Sequence, residues 1–268
     1  MAPLIDTHNH IDAPIFDADR DVLIREAKDA GVIDALICSG IPGTWEKTRA
    51  VAHQAAWHYA LGVHPLYVGD VPDPKALLEK LNGRVESLLT DTLFAAVGEI
   101  GLDGFVPGLD AEKMMTLFRE QLKIAAHFHL PVSVHARHCV DFVSRELFRI
   151  RPAGGVVHAF NGSIEQAKRL VDLGMKLGFG GALTYTGSKR IRRIFTELSD
   201  TDFVLETDAP DMPGAWRRQA SDTRTHVSDI TQVLECAAAL RGTDPETLAL
   251  LATQNARAAF PRMTLGKI

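Results

Sequence analysis

The stretch Leu4-Ile5-Asp6-Thr7-His8-Asn9-His10 decides the fold. An apolar run at 3–6 passes straight into two histidines spaced i and i+2, with no glycine among them. A doubly wound open sheet carries a glycine-rich phosphate loop after its first strand, and this segment is nothing like one. In an extended strand the i and i+2 side chains point the same way, so His8 and His10 can grip one cation from the strand's C-terminal end. Outward from here, short apolar runs recur at 32–38, 59–63, 94–100, 131–135, 155–158, 175–178 and 203–206. They are rich in Val, Ile, Leu and Ala and barely alternate in polarity, which suits parallel strands buried on both faces. Helix-like segments follow at 19–30, 110–128, 163–173, 227–240 and 245–259. Gly31 and Gly174 stand where a helix needs a C-terminal glycine, and Ser163 with Gln166 spells a capping box. Strands alternating with helices in one undivided chain predict an α/β fold, a single (β/α)8 TIM barrel over 1–268, with the doubly wound sheet as the alternative.

Composition narrows the partners. The 268 residues carry 29 Lys and Arg against 34 Asp and Glu, a formal charge of −5. Such a chain does not hold polyanions by bulk attraction, so nucleic-acid binding needs a local basic patch or metal ions. Cys38, Cys139 and Cys236 cannot all pair and are too few for a disulfide scaffold; they read as reduced thiols of a cytoplasmic protein. The first residues, Met1 to Asp6, lack the basic and long apolar stretches of a secretory leader, and no uncharged apolar run approaches the roughly 18 residues of a membrane span. No helix-like segment carries apolar residues beyond a single face, which points to a monomer.

The chemistry lies in where the histidines and carboxylates fall. Gly62-Val63-His64-Pro65, Gly98-Glu99-Ile100-Gly101-Leu102-Asp103, Val132-Ser133-Val134-His135-Ala136-Arg137, Val156-Val157-His158-Ala159-Phe160 and Leu205-Glu206-Thr207-Asp208-Ala209-Pro210 each close an apolar run. A lone histidine at a strand end is more often a hydrogen-bonded structural residue than a ligand. The joint pattern weighs differently, because the C-terminal ends of barrel strands converge on one face, where the catalytic groups of this fold sit. His53, His58, His127, His129, His138 and His226 fall outside the pattern and take surface or packing roles.

In this order, His-x-His, Gly-x-His-Pro, Gly-Glu-Ile-Gly-Leu-Asp, Pro-Val-x-x-His-x-Arg, Val-x-His-x-Phe-x-Gly and Leu-Glu-Thr-Asp-Ala-Pro resemble the TatD-like metal-dependent hydrolases, often called TatD deoxyribonucleases. The stretch from Glu206 to Pro213, with Gly178-Phe179-Gly180-Gly181 before it, is most similar to their YjjV-like branch. The resemblance runs from Asp6 to about Pro213. It implies a barrel of the metallo-dependent hydrolase type with two divalent metal ions (Zn, Mg or Mn) that hydrolyses ester bonds, commonly DNA phosphodiesters. By the same resemblance His8 and His10 hold one ion, Glu99 bridges it to a second, His135 and His158 hold that second ion, and Asp208 ligates metal and orients the attacking water. Neutral imidazoles bind transition metals well, a carboxylate can set one oxygen on each of two cations, and two ions roughly 3.5–4 Å apart can clamp a scissile phosphate. Asp208 is then the natural acceptor of the water's proton. His64 resembles the family histidine that contacts the substrate phosphate and, with Glu99 and Asp208, makes up the catalytic set. Arg137 and Asp103 join His64 as candidate substrate contacts.

Other residues carry lesser expectations. Asp6 reads as a partner that orients an imidazole, and Glu206 as a structural carboxylate. Many relatives carry an Arg/Asn-Glu-Pro-like element after the last strand, whereas this chain has Trp216-Arg217-Arg218-Gln219-Ala220-Ser221-Asp222-Thr223-Arg224-Thr225-His226. Arg217, Arg218 and Arg224 are candidates for the local positive patch, and Trp216 for stacking on a base. The substrate expected is DNA, as single strands or ends. A ligand cluster does not dictate the electrophile, so a small carboxylic ester, lactone or amide stands as the alternative, and a non-catalytic metal-binding barrel as a remote one.

Overall fold

Every apolar run becomes a strand: β1 (Leu4–Asn9), β2 (Val32–Ser39), β3 (His58–Leu61), β4 (Phe94–Asp103), β5 (Val132–Arg137), β6 (Gly155–Val157), β7 (Met175–Phe179) and β8 (Phe203–Leu205). The computed structural model describes residues 3–264, so 1–2 and 265–268 of the expected domain, with the leader reading at Met1 and Ala2, lie outside the described residues. Helices α1 (Arg20–Asp29), α2 (Trp45–Ala55), α3 (Pro74–Leu88), α4 (Ala111–His127), α5 (Val140–Ile150), α6 (Ile164–Asp172) and α7 (Lys189–Glu197) alternate with the strands, and α8 (Ile230–Arg241) and α9 (Pro245–Ala259) follow the last of them. The eight strands pair in parallel in chain order, β1 to β8, which excludes the doubly wound alternative.

Local chemistry accounts for the helix ends. The carboxylates of Asp73, Asp110 and Asp244 accept the amide protons of Ala76, Lys113 and Thr247 at the starts of α3, α4 and α9. Ser163 and Gln166 form both halves of the expected capping box at α6. Gly31 and Gly174 sit past α1 and α6 at φ +96° and +85°, a conformation that costs a glycine nothing.

The inner and outer layers of the barrel are written residue by residue. Leu4, Ala35, Ile37, Tyr59 and Leu61 pack outward with the helices, whereas the alternate positions Ile5, Leu36, Cys38 and Ala60 belong to a separate apolar cluster with Ala96, Val156 and Val204. Ala256, Ala259, Phe260 and Met263 complete that inner cluster, so α9 and the turn after it stop one end of the barrel.

The seam between β8 and β1 lacks a regular ladder and is closed from just past β8. The amide of Asp208 donates to the His8 carbonyl (2.9 Å), and that of His10 to the Ala209 carbonyl (2.7 Å). Asp6 straddles the same seam. One of its oxygens accepts from the amides of His8 and Thr207, and the other from the Thr207 hydroxyl at 2.6 Å. The expectation that Asp6 orients an imidazole is therefore corrected: it organises main chain. No helix among the described residues is long and apolar enough to cross a membrane.

Candidate metal centre

Glu99 is the hub of the site. It sits on β4 and is 3 % exposed, with its two oxygens facing different imidazoles. Oε2 lies 3.5 Å from His8 Nε2 and 3.4 Å from His10 Nε2. Oε1 lies 2.7 Å from His158 Nε2, 3.2 Å from His135 Nδ1 and 3.2 Å from His64 Nε2. Asp208, just past β8, closes the first group from the other side, with Oδ1 3.7 Å from His8 Nε2 and 3.4 Å from His10 Nε2. Sets of three able to hold a metal ion overlap here: His8 with His10 and Glu99, His8 with His158 and Asp208, and Glu99 with His64 and His135.

Close backbone approach lets β4 deliver Glu99 next to His135. Gly101, at φ +152°, is paired with His135, and a Cβ on it would lie 2.0 Å from the His135 carbonyl oxygen. Asp208 itself is held at φ +59°, a left-handed conformation that is uncommon for residues other than glycine, between its amide bond to His8 and its own carbonyl, which accepts from Asp211.

The outer nitrogens of the imidazoles show which inner nitrogens carry lone pairs. His10 Nδ1 lies 2.6 Å from the Cys38 carbonyl, which only accepts, so Nδ1 carries a proton and Nε2 is the nitrogen that the neutral ring would turn to a metal ion. His135 Nε2 lies 3.0 Å from Asp103 Oδ2, so Nδ1, on the side of Glu99, is the nitrogen that its neutral ring would offer to a metal ion. His8 Nδ1 is matched by the Ser133 hydroxyl at 2.9 Å. Neighbouring inner nitrogens stand only 3.3 Å apart, His8 from His10 and His158 from His135. Imidazole nitrogens crowded on one another and on two carboxylates are an arrangement that a cation satisfies, and the nitrogen–oxygen set suits a divalent transition metal.

His64 is built the other way round. Its Nδ1 accepts the Leu66 amide proton at 3.2 Å, so the proton is on Nε2 and points at Glu99. Among the site's imidazoles it is a donor, which separates it from the ligand geometry of His10 and His135.

Electrostatics follow from the crowding. Burial raises the Glu99 carboxyl, but His64, His158 and His8 outweigh it and hold it well below the ordinary range. Burial also opposes the charge of His10, yet Asp208 and Glu99 lift it to about 10. His8 is pushed down to about 4 by burial and then by the neighbouring His158, whose ring stacks on its own at 3.8 Å. Glu206 is pushed up to about 8, chiefly by burial. It accepts the Ala159 amide proton and stands 3.9 Å from His158 Nδ1, behind the site rather than in it.

Two expectations about substrate contacts are corrected. Asp103 is 3 % exposed; one oxygen holds His135 and the other accepts the amides of Phe105 and Val106, so it supports an imidazole and does not present itself to substrate. The arginine patch of the 216–226 segment is largely spent inside the protein. Arg217 makes two hydrogen bonds to Asp229, and Arg224 is tied to Asp19, Asp222 and the Ile15 carbonyl. Arg218 lies over the Tyr185 ring, and Trp216 folds back half-buried on the core. Arg137, by contrast, is exposed two residues beyond His135. His58, outside the pattern, is buried against Asp34, and His226 bonds Asp222. Sequence reading missed Ser133, although a lone hydroxyl in the apolar β5, two residues before His135, was the available signal.

The family described as TatD related DNase matches residues 5–261. The chain belongs to the TatD family. Among its relatives, the uncharacterized metal-dependent hydrolase YjjV of Escherichia coli is 38% identical over 78% of this chain and 80% of its own. A crystal structure of that TatD homologue superposes with a TM-score of 0.88 at 32% identity, covering 96% of this chain and 98% of the other. The 3'-5' ssDNA/RNA exonuclease TatD of Erwinia billingiae is 28% identical over 91% of this chain and 94% of its own. Within the TatD family member described here, the six residues His8, His10, Glu99, His135, His158 and Asp208 all meet at the C-terminal ends of the barrel strands.

Proposed function

We propose that this protein is a metal-dependent hydrolase that cleaves phosphodiester bonds of DNA, at single strands or ends, as a cytoplasmic monomer built of one barrel domain. The observation that carries the reading is the split of Glu99, one oxygen toward His8 and His10 and the other toward His135 and His158. His8 and His10 with Asp208 would hold one divalent ion, and His135 and His158 a second, with Glu99 shared. Bound there, the ions supply Lewis acidity and a water acidified towards neutrality.

The chain's own groups do the rest. Asp208, an ionised carboxylate beside His8 and His10, accepts the proton of the attacking water. His64 offers its Nε2 proton to a non-bridging phosphate oxygen, and Arg137 offers a charged donor at the rim. Asp103 orients His135 and the Cys38 carbonyl His10 through acceptors that fix which nitrogen is protonated, and the Ser133 hydroxyl holds the ring of His8 in place. The name of the Erwinia relative supports a single-stranded substrate.

A second reading, hydrolysis of a small carboxylic ester, lactone or amide by the same residues, is favoured by Arg217 and Arg224 of the 216–226 segment being spent on internal pairs. One experiment separates the two. End-labelled single-stranded DNA is incubated with metal-stripped protein to which Mg²⁺, Mn²⁺ or Zn²⁺ is returned singly, beside Glu99→Ala prepared identically. Metal-dependent shortening lost in Glu99→Ala is the expected result. Failure of every metal to restore it, in protein that rebinds metal, overturns the nuclease reading and moves the search to small esters.

A further inference from the structure

On the rim beside His135, the Arg137 guanidinium lies 3.7 Å over the Phe105 ring. Among the described residues, no carboxylate or carbonyl accepts from it. The reason is local: Asp103, the acid nearest in the register, has both oxygens engaged, by His135 on one side and by the Phe105 and Val106 amides on the other. Arg137 thus keeps its donors free and one face covered by an aromatic ring, whereas Arg217 and Arg224 are consumed by internal pairs.

The neighbourhood is aromatic and open. Phe105 is 53 % exposed, and on the adjacent loop Tyr67 is 36 % exposed. The Tyr67 ring lies 6.0 Å from that of His64, which lies 4.5 Å from that of His135. Among the described residues the Tyr67 hydroxyl has no hydrogen-bond partner. A guanidinium plane backed by a ring is a surface on which a flat heterocycle stacks while the guanidinium edge reaches phosphate. Since every base has a π-face, such a platform is tolerant of sequence, but a base inside a duplex has both faces covered and cannot use it.

We propose that Arg137 stacked on Phe105, with the exposed Tyr67 beside His64, forms a subsite for an unpaired nucleobase and its phosphate beside the scissile bond. This subsite makes the protein select single strands, and it rests on the phosphodiesterase reading above. Phe105 acts as a positioning residue for Arg137. Because Asp103 grips both His135 and the turn that carries Phe105, the subsite is in fixed register with the metal-facing imidazoles.

The test uses the metal-loaded protein and two labelled single strands, one natural and one with a tetrahydrofuran abasic unit next to the terminal linkage. For wild type the abasic strand is expected to raise KM roughly tenfold, the worth of one base–aromatic stack, with kcat within about twofold. Phe105→Leu raises KM for the natural strand to the abasic level, and Phe105→Tyr restores the difference; melting curves confirm that these exposed-site variants are folded. Equal KM for both strands in wild type overturns the subsite and leaves the nuclease reading standing. Failure of wild type to cleave either strand overturns both together.

Discussion

Asp103 Oδ2 lies 3.0 Å from His135 Nε2, while the other oxygen of the same carboxylate holds the turn at Phe105 and Val106. One buried side chain therefore sets both the tautomer of an imidazole and the path of the loop beside it. Asp103→Asn keeps the shape but offers an amide in place of an acceptor-only group, which weakens control of the tautomer. The expected outcome is a 10- to 100-fold loss of metal affinity, the usual cost of removing such a partner, read by titration calorimetry with the fold checked by circular dichroism. Unchanged affinity would show that His135 does not bind through Nδ1.

His64 and His135 both face Glu99 Oε1 at 3.2 Å, yet their outer nitrogens have opposite partners, a main-chain amide donor at His64 and a carboxylate acceptor at His135. His64→Gln preserves an N–H donor and removes the ring; metal content should stay as in wild type while kcat/KM falls by about 100-fold, the order seen when a single charge-stabilising donor is lost. His135→Gln should lose metal. Elemental analysis of the two purified variants decides it, and a matching loss in both would place His64 among the ligands.

Arg224 reaches Asp19, Asp222, the Ile15 carbonyl and the face of Phe16. Its role is structural, so Arg224→Ala should lower stability by about 1–3 kcal/mol in urea titration. The salt dependence of single-strand binding should stay at the wild-type slope. A slope shallower by about one unit would return Arg224 to the phosphate-binding surface.

Asp91 gives the pH dependence a defined sign. Burial raises its carboxyl, but hydrogen bonds from His53, Arg49, the Leu93 amide and Tyr59 outweigh burial and hold it at about 2, below the ordinary 3.8. A depressed carboxylate stabilises the fold above its unfolded value and loses that contribution as the pH falls through its folded one. The stability gap between wild type and Asp91→Asn should be about 1–2 kcal/mol at pH 6, allowing for the exposure of Arg49 and His53, and should close between pH 4 and pH 2. A gap that persists at pH 2 would assign the loss to packing.

The strands were legible because each is a run of apolar residues that has to be buried on both faces. The helices were less so. Four of them, α2, α3, α5 and α7, went unmarked in the sequence, and α7 shows why: only Ile194 and Phe195 of Lys189–Glu197 are buried, too narrow a stripe to register as a face. At the site, the side chains that meet at Glu99 were legible because strand ends carry them to one face. Their supports were not. The Cys38 carbonyl behind His10 and the Leu66 amide behind His64 are main chain and leave no mark on residue identity. Asp103 was misplaced because its partner lies 32 residues away and a carboxylate near a mouth reads as a substrate contact.

The seam at Asp6 and Thr207 has a consequence for how the molecule is made. His8 and Asp208 are joined across it by a main-chain bond, as are His10 and Ala209, so the ring of strands and the ring of ligands close in the same event. A nascent chain emerging from the ribosome can present His8, His10, Glu99, His135 and His158 long before residue 208 exists, but the set stays incomplete until the last strand brings Asp208 to His8. Completion of the ligand set thus reports that the barrel is finished, and a circular permutant opened between two other strands would lose that timing while keeping every side chain.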